Sequence, residues 1–211
     1  MSDLILSVSG LRGVVGQSLT AEVATRYGSV LGSWFVERDG QRPMVVLGRD
    51  GRAGGHVIRD AVVAGLNGAG CDVMDLGVAT TPTVGVMTDD LGAAGGVVIT
   101  ASHNPQQWNG VKWLVRDADS GESGASAPEA GAASVLRERF ERMAHDAGAT
   151  GGHGVAWRDL GARTTSSDGA RTHVDLVRDR VGREARLAVR DAQRSVVLDS
   201  VNASGGLAGG V

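Results

Sequence analysis

Apolar positions recur along this chain in two rhythms: short continuous runs, and longer stretches spaced at three and four residues. Residues 4–8 form the first short run and predict a strand, with a Gly-rich loop over 9–16 behind it. Thr20 offers an N-cap. Val23, Ala24, Tyr27, Val30, Leu31, Trp34 and Phe35 then mark one face of an amphipathic helix to about Arg38, closed by Asp39-Gly40. Residues 44–47 predict a strand, 56–66 a helix closed by Asn67-Gly68, and 71–76 a strand. Thr81-Pro82 supplies an N-cap and a first-turn proline for a short helix to about Leu91. Residues 97–100 predict a buried strand, 101–109 are the densest polar stretch, and 111–115 predict one more strand.

Strands and helices therefore alternate, and the strands are continuous apolar runs rather than alternating ones. Such runs are expected where helices cover both faces of a sheet. The fold class is α/β: a three-layer α/β/α domain with a mainly parallel mixed sheet. Ligands of such sheets sit beyond the carboxyl ends of the strands, so the loops after Val8, Leu47 and Thr100 are expected at one edge. Residues 117–127 turn to Gly, Ser and Asp, an exposed loop. A helix over 128–147 follows, with Val135, Leu136, Phe140 and Met143 inward, then a Gly/Thr/Ser-rich connection over 148–170. A helix over 173–193 and a strand over 195–198 lead into 199–206. A lone helix and strand cannot bury their faces. The expected division is a domain over 1–165 and the truncated start of a second α/β unit over 166–211.

Composition narrows the class. Of 211 residues, 33 are Gly, about 16% against a usual 7%. Even so, 42% are hydrophobic, enough for a packed core and against a disordered or collagen-like chain. Acids and bases number 24 and 21, a net charge of −3, so no basic footprint recommends a nucleic-acid partner. No apolar run approaches the roughly 18 residues of a membrane helix, and the opening Met1-Ser2-Asp3 lacks a signal-peptide layout. The single cysteine, Cys71, has no internal partner, which fits a reducing compartment. A cytoplasmic chain, with no membrane and no nucleic acid, is the expectation. The basic residues comprise 20 Arg and one Lys, Lys112.

The strongest local signal is Thr100-Ala101-Ser102-His103-Asn104-Pro105, with Asn109-Gly110-Val111-Lys112 downstream. Ser102 follows a buried strand, where its hydroxyl is presented at the ligand edge, and the Asn-Pro turn leaves room for a substrate. Adjacent Ser102 and His103 have the wrong geometry for a Ser–His triad, and no G-x-S-x-G elbow surrounds them. Taken alone, the pair is a polar turn. The glycines over 65–70 end a helix, the wrong context for a dinucleotide loop. Asp89-Asp90 is a solvated helix end, and His145 and His153 have no partner at zinc spacing.

The stretch VVITASHNPQQWNGVKWL over 97–114 resembles the phosphoserine loop of the α-D-phosphohexomutases, the family of phosphoglucomutase, phosphomannomutase and phosphoglucosamine mutase. Three further segments support it in order. Ser9-Gly10-Leu11-Arg12-Gly13 is similar to the family's S-G-[I/L]-R-G element, Gly48-Arg49-Asp50-Gly51-Arg52 to its G-x-D-x-R turn, and Gly77-Val78-Ala79-Thr80-Thr81-Pro82 to its G-x-x-x-T-P segment. Residues 199–206 resemble the opening of the family's second domain. The resemblance departs at Ser7-Val8 where Gly-Thr is common, at Ala53-Gly54 where a Ser usually follows, and at Asn202-Ala203-Ser204-Gly205 in place of N-G-A-G.

The resemblance implies an isomerase that moves a phosphoryl group between the 1- and 6-positions of a hexose or hexosamine monophosphate. It would work through a phosphoserine and a hexose 1,6-bisphosphate, leaning towards phosphoglucosamine mutase. Ser102 is the matching phosphoserine. Phosphoserine brings nearly two negative charges and needs cations, a place for Arg12. Lys112 matches the family's lysine for proton transfer at the sugar hydroxyl; unlike Arg, a desolvated Lys can give up its proton. His103 shapes the loop or bonds phosphate. Ser9, Asn104, Asn109 and Arg49 are expected to shape the loop or meet substrate, with Arg49 and Asp50 paired within their turn. The family's Mg²⁺ bridges the serine phosphate and an Asp-rich D-x-D-x-D loop, and no such triplet occurs in this sequence. The 211 residues alone are therefore expected to lack mutase turnover. A non-catalytic sugar-phosphate-binding protein of the same fold is the alternative reading, and a hydrolase or nucleotide-binding domain lacks its motif.

Overall fold

The computed structural model describes residues 3–116, 124–145, 154–200 and 203–206. In chain order the elements begin with β1 (Ile5–Ser7), β2 (Gly10–Val14), α1 (Ala21–Asp39), β3 (Met44–Arg49) and α2 (Gly55–Gly68). They continue with β4 (Asp72–Val78), α3 (Thr81–Asp90), β5 (Gly95–Ile99) and β6 (Trp108–Arg116). The last are β7 (Ala125–Ser126), α4 (Ala130–His145), β8 (Arg163–Thr165) and α5 (Gly169–Asp191). One mixed sheet runs in the order β1-β2-β6-β5-β3-β4-β8, with β7 beside β6. β5, β3, β4 and β8 are parallel neighbours, whereas β1, β2, β6 and β7 join antiparallel.

Strand alternation assigns the two faces. Val45, Leu47, Val97, Ile99, Val111 and Trp113 pack with Leu31, Phe35, Val62, Leu66, Leu136 and Phe140 on the side of α1, α2 and α4. Val46 and Val98 pack with Val84, Met87 and Leu76 on the side of α3. The sheet is buried on both sides, which is why its inner strands read as continuous apolar runs. A chain of few aromatics concentrates them. Tyr27 meets Phe140 edge-on at 5.6 Å between centroids, and Trp34 meets Phe35 and Trp113 at 5.3 and 5.0 Å. Glycine supplies close approach in place of bulk: a Cβ on Gly65 would lie 2.3 Å from the Thr25 carbonyl oxygen, so α1 and α2 touch backbone to backbone.

Several expectations change. The stretch after residue 8 is no loop: residues 10–14 form β2, hydrogen-bonded on both sides between β1 and β6. Two flanking strands satisfy its backbone, so low intrinsic β-propensity does not decide the matter. The turn after Val8 accordingly does not join the ligand edge, while the segments following β3 and β5 do meet there. Thr80, not Thr81, caps α3, accepting the Thr83 N–H at 3.2 Å. Val135 faces solvent whereas Leu136 and Phe140 are buried and Met143 is partly so. Ala147, at the expected end of that helix, lies outside the described residues. Residues 195–198 form no strand: no neighbour among the described residues pairs with them, and Val197 is 95% exposed.

The connection before α5 contributes β8, whose Arg163 pairs with the buried Asp75 of β4 and with Asp60 of α2. The first turns of α5 lie on α3, with His173 Nδ1 3.0 Å from the Thr83 hydroxyl. At Gly182 (φ 76°) α5 breaks its helical course. Among the described residues no helix is long and apolar enough to cross a membrane.

Cys71 lies beneath α1, its Sγ 3.4 Å from the Gly32 carbonyl oxygen, and burial, with lesser help from Asp72 and Asp39, pushes the thiol up to about 12. It should not react with a thiol-specific disulfide reagent at neutral or mildly alkaline pH until the chain is unfolded. Rapid stoichiometric labelling of the folded protein would contradict this placement.

Candidate active site

Ser102 stands three residues beyond the end of β5, exposed, with its backbone in the left-handed region at φ 57°. A non-glycine residue adopts that conformation at a cost, and the neighbouring bonds show what holds it. The Ser102 N–H donates to Thr100 Oγ1 at 3.0 Å, and the Thr100 hydroxyl donates to Asp50 Oδ2 at 2.6 Å. Asp50 sits at the end of β3, adjacent to β5 in the sheet, so two parallel strands deliver these groups to one place.

Asp50 passes the connection to Arg52. Its Oδ1 accepts the Arg52 backbone N–H at 3.0 Å, and Oδ2 accepts Arg52 Nε at 3.2 Å. The rest of the guanidinium faces the serine loop. Nη2 donates to the carbonyl oxygens of Ser102 (2.6 Å) and Asn104 (2.7 Å), and Nη1 to those of Pro105 (2.8 Å) and Trp108 (3.1 Å). All five donors of the fork are matched by bonds, and the side chain is only 11% exposed. Sequence reasoning places Arg52 within its motif and gives it no role. The only signal there is an arginine two residues after the aspartate of that turn.

The other expected residues are placed unevenly. Arg12, on β2, donates to Asn104 Oδ1 at 2.9 Å, so these two meet in the loop. Arg12 lies opposite Gly110 in the β2–β6 register and Lys112 opposite Gly10, so both cationic side chains project from the same face as neighbours. The opposing glycines are required: a Cβ on Gly10 would fall 2.0 Å from the Val111 carbonyl oxygen, and one on Gly110 2.6 Å from that of Leu11. Lys112 is half-buried, level with Val98 of β5. His103 is exposed, its Nδ1 3.5 Å from Ser102 Oγ, at the limit of a hydrogen bond.

Three residues are not brought to the loop as expected. Ser9 sits in the β1–β2 turn, bonded to the Ser7 hydroxyl at 3.1 Å, at the opposite end of β2 from Trp108. Arg49 does not pair with the Asp50 carboxylate; it donates to the Asp50 carbonyl oxygen at 3.0 Å. Strand alternation puts consecutive residues on opposite faces, and Arg49 turns towards the start of α2. Asn109 is fully buried on that face, its Oδ1 accepting the Gly110 N–H at 2.8 Å and its Nδ2 without a partner among the described residues. It shapes the strand and does not reach the surface.

Among the described residues the Ser102 hydroxyl has one side-chain contact, with the exposed His103. What the arrangement offers is an exposed hydroxyl on a braced loop, with an arginine and a lysine on the adjoining strands. Among the described residues no three Asp, Glu, His or Cys side chains gather to hold a metal ion. The set of this chain's described residues therefore does not by itself make the Mg²⁺ site that the resemblance implies. A cleft of about 780 Å³ between α3 and α5, lined by Pro82, Val86, Leu176 and Val181 among others, shares no residue with the serine loop.

Thr100→Val removes the hydroxyl that links Ser102 to Asp50 while keeping its shape. Leaving the Ser102 N–H and part of the carboxylate unsatisfied should cost about 1–3 kcal/mol in denaturant unfolding and speed amide exchange at Ser102. An unchanged midpoint with unchanged exchange would remove Thr100 from the brace.

Comparison with known proteins places the chain among relatives. Residues 4–129 match the family model described as phosphoglucomutase/phosphomannomutase, alpha/beta/alpha domain I. A phosphoglucomutase/phosphomannomutase of Thermococcus kodakarensis is 32% identical over 198 residues, covering 94% of this chain and 40% of the relative. A phosphoglucosamine mutase of Bacillus mycoides is 47% identical over 108 residues, 51% of this chain and 24% of the relative. Among solved structures, a phosphoglucomutase/phosphomannomutase family protein from Burkholderia thailandensis superposes with a TM-score of 0.60 at 28% identity, over 82% of this chain and 36% of that one. A Thermus thermophilus protein described as a phosphomannomutase gives 0.65 at 25% identity, over 86% and 37%. This chain spans 40% or less of the length of each of these relatives. With an α/β/α sheet that ends in a braced serine loop, and a family match over 4–129, the chain belongs to the phosphoglucomutase/phosphomannomutase family.

Proposed function

We propose that this chain is the serine-bearing part of a phosphohexomutase and that Ser102 is its phosphoryl carrier. The observation that carries this reading is the exposed Ser102 hydroxyl on a strand-end loop held by Thr100 and Arg52, with Arg12 and Lys112 on adjoining strands, in a chain of this family. In the first half-reaction a hydroxyl oxygen of a hexose monophosphate attacks the phosphorus of phosphorylated Ser102. The Ser102 Oγ–P bond breaks, the sugar O–P bond forms, and Lys112 takes the sugar hydroxyl proton. In the second, Ser102 Oγ attacks the other phosphate of the hexose 1,6-bisphosphate, the original sugar O–P bond breaks, and the proton returns to the sugar oxygen. Arg12 supplies positive charge against the phosphoryl oxygens. Mg²⁺, where bound, would add charge neutralisation at the serine phosphate.

A hexosamine phosphate is the favoured substrate, supported by 47% identity to a phosphoglucosamine mutase across the half of the chain that aligns. A second reading, a glucose or mannose phosphate, is supported by the 32% match to a phosphoglucomutase/phosphomannomutase over 94% of the chain. The cytoplasm is the proposed location, supported by the unpaired, buried Cys71. The 211 residues alone are proposed to lack turnover, because the sequence holds no D-x-D-x-D triplet of the kind the family resemblance implies.

Protein isolated from its native cell should carry one phosphoryl group, on the Ser102 peptide. Glucosamine 1,6-bisphosphate should restore that mark after phosphatase treatment faster than glucose 1,6-bisphosphate does, and Ser102→Ala should abolish it. The reverse order of donors would favour the second substrate reading. Unmodified Ser102 that no bisphosphate marks would leave a non-catalytic sugar-phosphate-binding protein instead.

A further inference from the structure

We propose that Asp50 is a positioning residue for phosphoryl transfer at Ser102, holding the serine's N–H through Thr100 and its carbonyl through Arg52. This rests on the reading of Ser102 as a phosphoryl carrier and adds to it the group that sets the attitude of the hydroxyl. Asp50 Oδ2 accepts the Thr100 hydroxyl at 2.6 Å and Arg52 Nε at 3.2 Å. From that atom two chains of bonds part. Thr100 Oγ1 accepts the Ser102 N–H at 3.0 Å, and Arg52 Nη2 donates to the Ser102 carbonyl oxygen at 2.6 Å. Both main-chain groups of the serine are thus tied back to one carboxylate oxygen.

The charge of Asp50 gives both chains their direction. An ionised carboxylate only accepts, and a threonine hydroxyl has one hydrogen. That hydrogen is committed to Asp50, so towards Ser102 the Thr100 oxygen can only accept, and the group it meets is an N–H. A guanidinium only donates, and the group it meets is a carbonyl. Asn at position 50 cannot repeat this, because Oδ1 is engaged as well, accepting the Arg52 backbone N–H at 3.0 Å. Whichever way the amide turned, its NH₂ would face either that N–H or the Thr100 hydroxyl and Arg52 Nε.

Tied at both ends, Ser102 stays at φ 57°, a conformation that costs a non-glycine residue energy, and its side chain is left exposed. Released, it relaxes to negative φ, which turns Cβ and Oγ to a new direction. Phosphoryl transfer depends on that direction, since the entering and leaving oxygens must lie roughly in line through phosphorus. In the loading step the Ser102 Oγ–P bond forms and a sugar O–P bond of the hexose 1,6-bisphosphate breaks. The serine proton ends on the sugar oxygen. Neither Asp50 nor Thr100 takes part in those bonds, so their loss should slow the step without weakening the donor's binding.

Protein isolated from its native cell and dephosphorylated is given hexose 1,6-bisphosphate, and the rate of Ser102 phosphorylation is followed against donor concentration. Asp50→Asn and Thr100→Val should each lower the saturating rate about tenfold or more, with the half-saturating concentration within about twofold. Thr100→Ser keeps the hydroxyl and should rescue the rate. The double variant should be no slower than Asp50→Asn alone, because both residues act in one chain of bonds. NMR couplings at residue 102 should report positive φ in the wild type and Thr100→Ser, and negative φ in Thr100→Val. Unchanged rates, a rise in half-saturating concentration in place of a fall in rate, or Thr100→Ser as slow as Thr100→Val would overturn the proposal. The two Thr100 variants carry the comparison should Asp50→Asn not fold. A wild type that takes no phosphoryl group from any hexose bisphosphate would sink the mutase reading and this proposal together. A wild type that takes one, with variants that match it, would sink the proposal alone.

Discussion

The serine loop depends on one side chain reaching across the sheet edge. Arg52 leaves the turn after β3 and bonds carbonyl oxygens 50 to 56 residues further along the chain, while Asp50 receives its remaining guanidinium donor, Nε. A nearly buried guanidinium without those acceptors would be costly, and the carbonyls without it would face one another. The ion pair and the loop therefore form together or not at all. Ser102 stays in the left-handed region because Thr100 below and Arg52 behind both hold its peptide groups.

That dependence explains the order of strands. β3 and β5 are adjacent and parallel, so their carboxyl ends deliver Asp50 and Thr100 side by side, close enough for a 2.6 Å bond. β6 then folds back antiparallel on β5 and returns the chain from the loop, and β2 adds itself to the far side. The parallel part of the sheet thus builds the brace, and the antiparallel part presents Arg12 and Lys112 beside it. Glycines at Gly10 and Gly110 are what allow β2 and β6 to come together under those two long side chains.

The cationic residues near the loop divide between two duties. Arg52 is spent on main-chain carbonyls and is enclosed, whereas Arg12 makes one bond to Asn104 and is only partly covered. The first sets geometry, and the second meets the loop through the Asn104 side chain. The same division separates Asp50 from its neighbour Arg49, which strand alternation sends to the opposite face beside the buried Asn109. Adjacent residues of one motif therefore do unrelated work.

By itself the sequence determined the long periodic helices, the buried strands and the location of Ser102 at a strand end. Each of those rests on local spacing: three- and four-residue recurrence for α1, continuous apolar runs for β3 and β5, an Asn-Pro turn after the serine. The ordered motifs also carried the family. Tertiary structure alone decided that the glycine-rich residues 10–14 are a strand, since only pairing on both sides satisfies that backbone. It decided that three residues, 163–165, extend the sheet through an arginine reaching Asp75, and that residues 195–198 pair with no strand among the described residues. It gave Ser9 to a hairpin turn and Arg52 to the loop. Hydrogen bonds between residues fifty positions apart leave no trace in local periodicity, because what fixes them is which strands lie side by side.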